Sequence, residues 1–318
     1  MSKGTSKFAI SQRLRTLMCL VGQAVVFEEG CELIKELMGV EIGSSQLQRV
    51  CTYYGKQVDA LIKANCESII PRLESAQHTP DSAYVMMDGS MIFTTEHEWR
   101  ELKLGRVFYD HQVVTIHPKR REVIQSVYVG HLGSVADFFP KLERHLVGYR
   151  KKVIIGDGAK WIWNWAEDNY PGAVQILDFF HAKEKLVIFA RHQFKQEQAR
   201  QDWLKDQTDS LLDNQLEQVL VSLRSCRARN TEAKLAKQKA IDYYIEHEDR
   251  MQYRTYREQG LMIGSGPIEA AHRSVIQQRM KLSGQKWSIT GAQAITNLRC
   301  YKHSHAWDKI KKIITAAA

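Results

Sequence analysis

The sequence predicts a mixed α/β protein that begins with helices and carries a long, purely helical insertion before its last elements. Between residues 83 and 132, β-branched and aromatic segments alternate with turn residues, as in an antiparallel meander. Helix, strand, helix and strand then follow up to Asp178, which is a mixed α/β order. From Ala182 to about Leu261 the strand signal vanishes, and apolar residues recur only at helical spacing.

Composition limits the classes of protein to consider. The chain has 318 residues, which is enough for two or three compact units. It carries 45 Lys and Arg against 36 Asp and Glu, so nucleic acid is the simplest acidic partner. Six scattered cysteines without a C-x-x-C pair argue against a zinc site or a disulfide framework. The longest apolar run is too short for a membrane span, so we expect a cytoplasmic protein without a membrane partner.

The first helical region covers about residues 13–63. Its apolar pattern reaches Gly39, where a helix ends, and Ser44 or Ser45 can cap the next helix. One interpretation is a helix-turn-helix motif that enters DNA, with outward contacts from Gln46, Gln48, Arg49 and Tyr53. A plain helical hairpin packed on its neighbour explains this stretch at least as well. The polar stretch 71–80 predicts a linker and the first domain boundary.

The strand region should contain four segments, which are YVMM before Asp88, MIFTT directly after it, LGRVFYDHQVVTI and VIQSVYVGHL. A helix is expected at 134–147, although Pro140 interrupts its pattern. The strand VII then leads to Asp157, a Trp-rich helix follows, and the strand VQIL ends at Asp178.

Three acids share one setting, because each follows or opens a regular element beside a glycine. Asp88-Gly is also a favoured hairpin-turn pair, which explains that position equally well. Asp157 precedes a helix, and the carboxyl end of a strand is where open α/β sheets place ligands. Glu269 lies in the first turn of a helix that starts near Gly266 and Pro267, where half a capping box would suffice to explain it.

Taken together, these acids have the chemistry of a two-metal site. Carboxylates from separate elements that converge at a sheet edge can hold two divalent ions, one at the attacking and one at the leaving oxygen. Hard oxygen ligands suit Mg²⁺ or Mn²⁺. If the fold brings Asp88, Asp157 and Glu269 together, they have the ligand type for two Mg²⁺ or Mn²⁺ ions.

At this point the chain resembles a known family. The order of the three acids on this strand and helix pattern resembles the RNase H-like DDE transposases. The motifs GDGAKWIW, LDFFHAKEKL and GSGPIEAAHRSVIQQRMKLSGQKW resemble signatures of the Kra-type insertion-sequence family, which is related to Mutator-like elements. The resemblance extends from about Phe27 to the C-terminus, whereas family members usually have further residues upstream of the helical hairpin.

The resemblance implies a role for each matching residue. Asp88 and Asp157 would be the first two metal ligands and Glu269 the third. Asp178 and His181 match a D-x-x-H signature that follows the second acid, although a histidine near a strand end is more often structural. His272 shares the helix face of Glu269 and could orient water, although a plain helix-surface role is the simpler explanation.

Basic residues cluster on and after the helix of Glu269. Arg273, Arg279, Lys281 and Lys286 can neutralise DNA phosphates, although a solvated surface carries the same charges. A second basic run spans residues 224–239 of the helical insertion, and a solvated face is its simpler explanation. The resemblance implies double-stranded DNA as partner, both terminal inverted repeats and target, and a homodimer or larger assembly that pairs two ends.

The predicted function is that of a bacterial, nucleoid-associated DNA transposase that cleaves element ends and transfers the 3′-OH into target DNA. An RNase H-like nuclease without strand transfer is one alternative, and a non-catalytic DNA-binding protein derived from a transposase is another. The predicted domains are a helical DNA-binding region (1–80), the first part of the RNase H-like core (81–181), the helical insertion (182–262), and the last core helix with the C-terminal helices (263–318).

Overall fold

The computed structural model describes residues 8–64, 82–117, 120–148 and 151–316. The predicted linker at 71–80 lies outside the described residues. The chain divides into two compact units, and each is considered by itself below. The first unit comprises Met1–Arg150 with Ile268–Ala318, and the second comprises Lys151–Pro267.

Three helices open the first unit, whereas the sequence predicted two. They are α1 (Gln12–Gly22), α2 (Phe27–Met38) and α3 (Ser44–Ala64). The extra break follows Gly22 and falls at Gln23, whose side-chain amide donates a hydrogen bond to the Leu20 carbonyl oxygen at 2.9 Å. This bond satisfies a carbonyl at the end of α1. The helical spacing of apolar residues continues across this break. Capping by the Gln23 side chain therefore ends α1 where the spacing alone predicts a longer helix.

An antiparallel meander follows in the first unit. Its strands are β1 (Ser82–Thr94), β2 (Glu98–Tyr109), β3 (Val113–His117), β4 (Arg120–Val123) and β5 (Val127–Leu132). β2 pairs with both β1 and β5, while β3 and β4 form a separate two-stranded sheet.

The hairpin turn considered for Asp88-Gly89 is wrong, because β1 runs through both residues without a break. Asp88 pairs with Leu104 and Gly89 with Lys103, so β2 continues the ladder past this point. The turn between the strands lies at residues 95–97 instead. Long-range pairing with β2 has overridden the local turn preference of the dipeptide.

The helix α4 (Val135–Glu143) ends the first stretch of this unit. The Ser134 hydroxyl caps it by accepting a hydrogen bond from the Asp137 N–H at 3.1 Å. The helix contains Pro140 and ends four residues before the predicted limit of 147. Phe138 and Leu142 form its buried face.

The second unit contains two strands and otherwise helices among its described residues. Strand β6 (Lys151–Gly156), helix α5 (Lys160–Asn169) and strand β7 (Val174–Leu177) come first, and the two strands pair in parallel. Five α-helices then follow among the described residues, as predicted from the loss of strand signal. They are α6 (Phe179–Gln193), α7 (Glu197–Leu212), α8 (Leu216–Ser225), α9 (Thr231–Glu246) and α10 (Tyr253–Glu258).

The chain completes the first unit with a helix that changes its winding. Helix α11 (Gly266–Ala271) continues through a π-helical stretch (His272–Gln277) into α12 (Gln278–Met280). The last elements are α13 (Ile289–His303) and α14 (Trp307–Ala316). Helix α13 is buried along most of its length. Its Asn297 side-chain amide donates a hydrogen bond to the Gly55 carbonyl oxygen of α3 at 2.9 Å.

The main sheet has five strands in the order β5-β2-β1-β6-β7, with antiparallel and parallel pairs. This mixed sheet, the helical stretch from α6 to α10 and the N-terminal helices confirm the predicted RNase H-like α/β fold class. Within the described ranges, every helix is too short or too polar to cross a bilayer.

Candidate functional site

Asp88 lies near the middle of the 13-residue strand β1 and is in contact with the helix that follows Glu269. Its Oδ1 accepts a hydrogen bond from the Gly89 N–H at 2.7 Å. Its Oδ2 lies 3.4 Å from Nε2 of His272, a side chain that is almost completely buried. The first unit thus brings a predicted ligand and a predicted supporting residue together from segments far apart in the sequence.

Glu269 is exposed in the first turn of α11, three residues before His272. Residues at this spacing lie on the same side of a helix, so the Glu269 carboxylate is on the helix face that contains the Asp88 contact. The π-helical stretch begins at His272 itself. Such π-bulges are frequent at functional sites because they redirect side chains within a helix.

The surroundings of His272 favour its neutral form. Burial lowers its pKa, and this effect exceeds the opposing influence of the Asp88 carboxylate. Its Nε2 atom is buried and has no hydrogen-bond partner among the described atoms. An unsatisfied polar atom beside a carboxylate fits a place for a water molecule or for the hydration shell of a metal ion.

Asp157 directly follows β6 in the second unit, as predicted. Its Oδ1 accepts a hydrogen bond from the Ala159 N–H at 2.9 Å, and its carbonyl oxygen accepts one from Nε1 of Trp163 at 2.8 Å. Trp163 is buried in α5, which therefore anchors the loop. The carboxylate is held by its neighbours while its second oxygen keeps lone pairs for a ligand.

Asp178 follows β7 and is completely buried. Its N–H donates to the Gly156 carbonyl at 2.8 Å, which brings the ends of the two parallel strands together. Its Oδ1 accepts from the Phe180 N–H at 2.8 Å and thereby caps α6. Its Oδ2 lies 2.6 Å from Nδ1 of His181 and 2.5 Å from Oγ of Ser265.

These hydrogen bonds decide the charge of Asp178. Burial alone would raise its pKa, but bonds from His181, Ser265 and the Phe180 N–H outweigh burial and lower it. The carboxylate accepts a hydrogen bond from the Nδ1–H of His181, and in the neutral ring this tautomer places the lone pair on Nε2. Metal-binding histidines commonly have this arrangement with a carboxylate behind them.

Two further side chains beside Asp157 were not singled out from the sequence. Tyr243 and His247 lie four residues apart on and just after α9, and both pack over Gly158. The Tyr243 hydroxyl and both ring nitrogens of His247 are buried without hydrogen-bond partners among the described atoms. Burial and the nearby Asp157 carboxylate raise the pKa of Tyr243. Only the helical spacing of the pair was visible in the sequence.

The predicted DNA contacts fall on different elements of the first unit. In α3, Arg49 is exposed and Gln46 is half-buried. Arg273 is exposed on the π-helical stretch. Lys281 is exposed and donates to the Ser90 hydroxyl of β1 at 3.1 Å. Lys286 is also exposed, and its Nζ lies 5.7 Å from the centre of the Phe93 ring.

Arg279 disagrees with its predicted role as a phosphate contact, because it is only 1% exposed. Its guanidinium lies between the rings of Phe27 and Trp287, at 4.8 and 4.9 Å from their centres, and donates to the Gly22 carbonyl at 3.2 Å. Burial lowers the pKa of Arg279 to about 10, so it is still charged at neutral pH. Cation–π contacts replace its hydration.

The sites can be summarised by unit. The first unit holds Asp88, Glu269 and His272, and the second holds Asp157 with the Asp178–His181 pair. All these carboxylates are hard oxygen donors of the kind that Mg²⁺ and Mn²⁺ prefer. The partly exposed Asp88 and the unsatisfied Nε2 of His272 beside it suit a hydrated divalent ion.

Comparisons with known proteins identify no family. No family model matches the chain, and no curated protein matches it. Among solved structures, the chain is similar to the Drosophila P element transposase strand transfer complex, with 11% sequence identity and a TM-score of 0.35. That match covers 99% of this chain and 83% of the other. A likeness of this size carries no argument about activity.

Proposed function

We propose that the protein is a DDE-type DNA transposase, similar to the Kra-type family, that cleaves the ends of an insertion sequence and joins the 3′-OH to target DNA. Support comes from the RNase H-like sheet and from the gathering of acids with histidines in each unit. The observation that carries the proposal is the contact between Asp88 and His272. This contact joins the middle of β1 to the helix face on which Glu269 lies. Local sequence preferences do not require such a contact, because the two residues are far apart in the sequence.

In this proposal Asp88, Asp157 and Glu269 hold two Mg²⁺ or Mn²⁺ ions. When bound, the ions would activate the attacking oxygen and neutralise charge at the phosphate. The protein contributes fixed carboxylates, since Asp88 and Asp157 are each held by a backbone N–H. Positioning of this kind supplies most of the catalysis in phosphoryl transfer.

The two histidines have separate tasks in the proposed reaction. Asp178 orients His181 through Nδ1, so its Nε2 can accept a proton or bind an ion. His272 is a buried, neutral side chain beside Asp88 and would hold a water molecule in place. The exposed cations Arg49, Arg273 and Lys281 would contact phosphates, and pairing of two DNA ends would require a dimer or larger assembly.

The test uses the full chain with Mg²⁺ or Mn²⁺ and duplex DNA that carries the flanks of its own gene. We expect cleavage and joining that are abolished in Asp88→Asn, Asp157→Asn and Glu269→Gln, with DNA binding retained. Asp178→Asn should lower the rate by about 10- to 100-fold, because it acts through His181. Asp168→Asn, an exposed acid on α5, is the matched control.

Other outcomes would favour the alternatives. DNA binding without cutting would identify a non-catalytic DNA-binding protein, and cutting without joined products would identify a nuclease. Binding of Mn²⁺, measured by electron paramagnetic resonance, separately tests whether Asp88 and Asp157 belong to the same metal site. If Asp88→Asn and Asp157→Asn both bind Mn²⁺ like the unmodified chain, the proposal that these acids share a metal centre is wrong.

A further inference from the structure

Exposed cations gather around the connection between α8 and α9 in the second unit. Arg227 and Arg229 lie in the connection itself, between Ser225 at the end of α8 and Thr231 at the start of α9. Lys234 lies in the first part of α9. The C-terminal end of α6 adds Arg191, and Lys195 follows it, and all five side chains are exposed. We call these five residues the basic loop surface.

The basic loop surface is held in one conformation by the side chain of Gln193. Its Nε2 donates to the Arg227 carbonyl at 3.0 Å, and its Oε1 accepts from the Arg229 N–H at 2.9 Å. One amide thus clamps the backbone on both sides of residue 228. These bonds bring the end of α6 against the loop, and Arg191 and Lys195 are each two residues from Gln193 along the chain.

Two more bonds fix the ends of the connection. Lys237 donates to the Cys226 carbonyl at 3.0 Å, where α8 has ended. The Asn230 side chain accepts from the Ala233 N–H at 2.7 Å and caps α9. The arginines therefore project from an ordered backbone. Charged residues that only interact with water do not need an ordered backbone. A binding surface that is already ordered has higher affinity, because less conformational entropy is lost when the partner binds.

The cations of the basic loop surface are not paired with acids, although the exposed Glu232 lies in the first turn of α9. None of its five residues forms an ion pair within the part of the chain that the structure describes. Elsewhere in the second unit, cations do pair, as Arg254 does with Glu258 at 3.0 Å and Lys160 with Glu246 at 3.2 Å. Like charges that crowd without partners repel one another, and a polyanion would relieve this repulsion.

We propose that the basic loop surface binds the phosphate backbone of double-stranded DNA. The inference rests on the proposed function, because DNA is the partner of that function, and it assigns a task to the helical stretch. Arginine donates from a planar fork that matches a phosphate group in two-point contact. Such contacts position DNA without reading its sequence. The surface would therefore bind flanking or target DNA irrespective of base order.

The test is the affinity of the full chain for duplexes of mixed sequence, measured by fluorescence anisotropy over a range of salt concentrations. Arg227→Gln with Arg229→Gln should weaken binding about 10-fold or more at low salt and reduce the salt slope by about 2, since two phosphate contacts are lost. The loss should be the same for unrelated sequences. Lys205→Gln with Arg257→Gln is the matched control, because both are exposed in the same unit and the change of net charge is equal.

A second variant keeps the charge and releases the clamp. Gln193→Ala should weaken DNA binding several-fold while circular dichroism shows an intact fold, because the arginines would no longer be held. Unchanged affinity in both Gln193→Ala and the double arginine variant, with cleavage intact, would overturn this proposal and leave the proposed function standing. An equal loss of DNA affinity in the control variant would show that only net charge matters, and this result would also overturn the proposal. Tighter binding of duplex RNA with the same dependence on Arg227 and Arg229 would overturn DNA as the partner.

Discussion

At the scale of single residues, the loop after β6 depends on a glycine with no space for a side chain. A Cβ at Gly158 would lie 2.4 Å from Cε2 of Tyr243 and 3.1 Å from Nε2 of His247. Asp157 immediately precedes this position, and its carboxylate is tied to the Ala159 N–H. The helical stretch therefore packs directly on the loop that carries the second predicted metal ligand.

We predict that Gly158→Ala lowers the free energy of unfolding by about 1–3 kcal/mol, because Tyr243 and His247 must move to admit the methyl group. Urea unfolding measures the change. Gly172→Ala is the control, since no atom lies within 4 Å of a Cβ at Gly172, and its effect should stay within about 0.5 kcal/mol. Equal stabilities of the two variants would contradict the packing described for this loop.

Arg279 provides a second prediction at this scale. Its side chain fills the space between Phe27 and Trp287, so Arg279→Ala should cost about 3 kcal/mol or more in unfolding free energy. The exposed Arg273→Ala should change stability by less than about 0.5 kcal/mol. If the Arg279→Ala protein is as stable as the unmodified chain but binds DNA more weakly, the phosphate contact predicted from the sequence is supported instead.

At the scale of elements, α3 and α13 approach each other more closely than two ordinary helices can. A Cβ at Gly55 would lie 2.4 Å from the carbonyl oxygen of Ala294 and 2.7 Å from its Cα atom. These are backbone atoms and cannot turn away. The hydrogen bond from Asn297 to the Gly55 carbonyl uses the same close approach. This contact joins the N-terminal helices to α13, whose Gln293 side chain is hydrogen-bonded to Gly130 and Leu132 of β5.

Gly55→Ala should therefore destabilise the protein by about 3 kcal/mol or more, because the helices must separate. In an isolated helix the same change would stabilise by about 1 kcal/mol, so the sign of the effect identifies its origin. Thermal and urea unfolding measure it, with Gly43→Ala as a control at an unobstructed position. A gain in stability would show that the contact between α3 and α13 is absent in solution.

At the scale of the whole molecule, buried histidines couple stability to pH. Burial lowers the pKa of His145 to about 4, and Lys309 and Arg144 add to the effect. Burial also lowers the pKa values of His131 and His303 to about 4. The unfolded chain takes up these protons near pH 6.5, before the folded protein does. The contribution of these histidines to stability is therefore fully present above pH 6.5 and is lost as the pH drops toward 4.

We predict that His145→Gln flattens this fall, since the contribution of His145 is on the order of 3 kcal/mol between pH 6.5 and 4. Urea unfolding at a series of pH values measures the slope. His192→Gln, at an exposed position on α6, is the control and should leave the slope unchanged. A variant with the same steep dependence as the unmodified chain would show that His145 takes up its proton equally in both states.

The sequence alone determined the features that depend on neighbours along the chain. Alternation and turn residues predicted the meander, and the apolar runs before Asp157 and Asp178 predicted the ends of β6 and β7. The Gly/Ser/Pro turn predicted the helix start near Glu269. These features follow from dihedral preferences, capping and apolar periodicity, all of which act over a few residues.

Only the tertiary structure decided which of several local possibilities was realised. Pairing with β2 kept Asp88 inside a strand, where the dipeptide alone favoured a turn. The ring of Phe27, which comes from a distant segment, packs with that of Trp287 around Arg279 in the core. Packing over Gly158 makes Tyr243 and His247 neighbours of Asp157. The physical reason is the same in each case. Burial and strand pairing depend on partners far away in the sequence, and their free energies exceed the local preferences that a sequence displays.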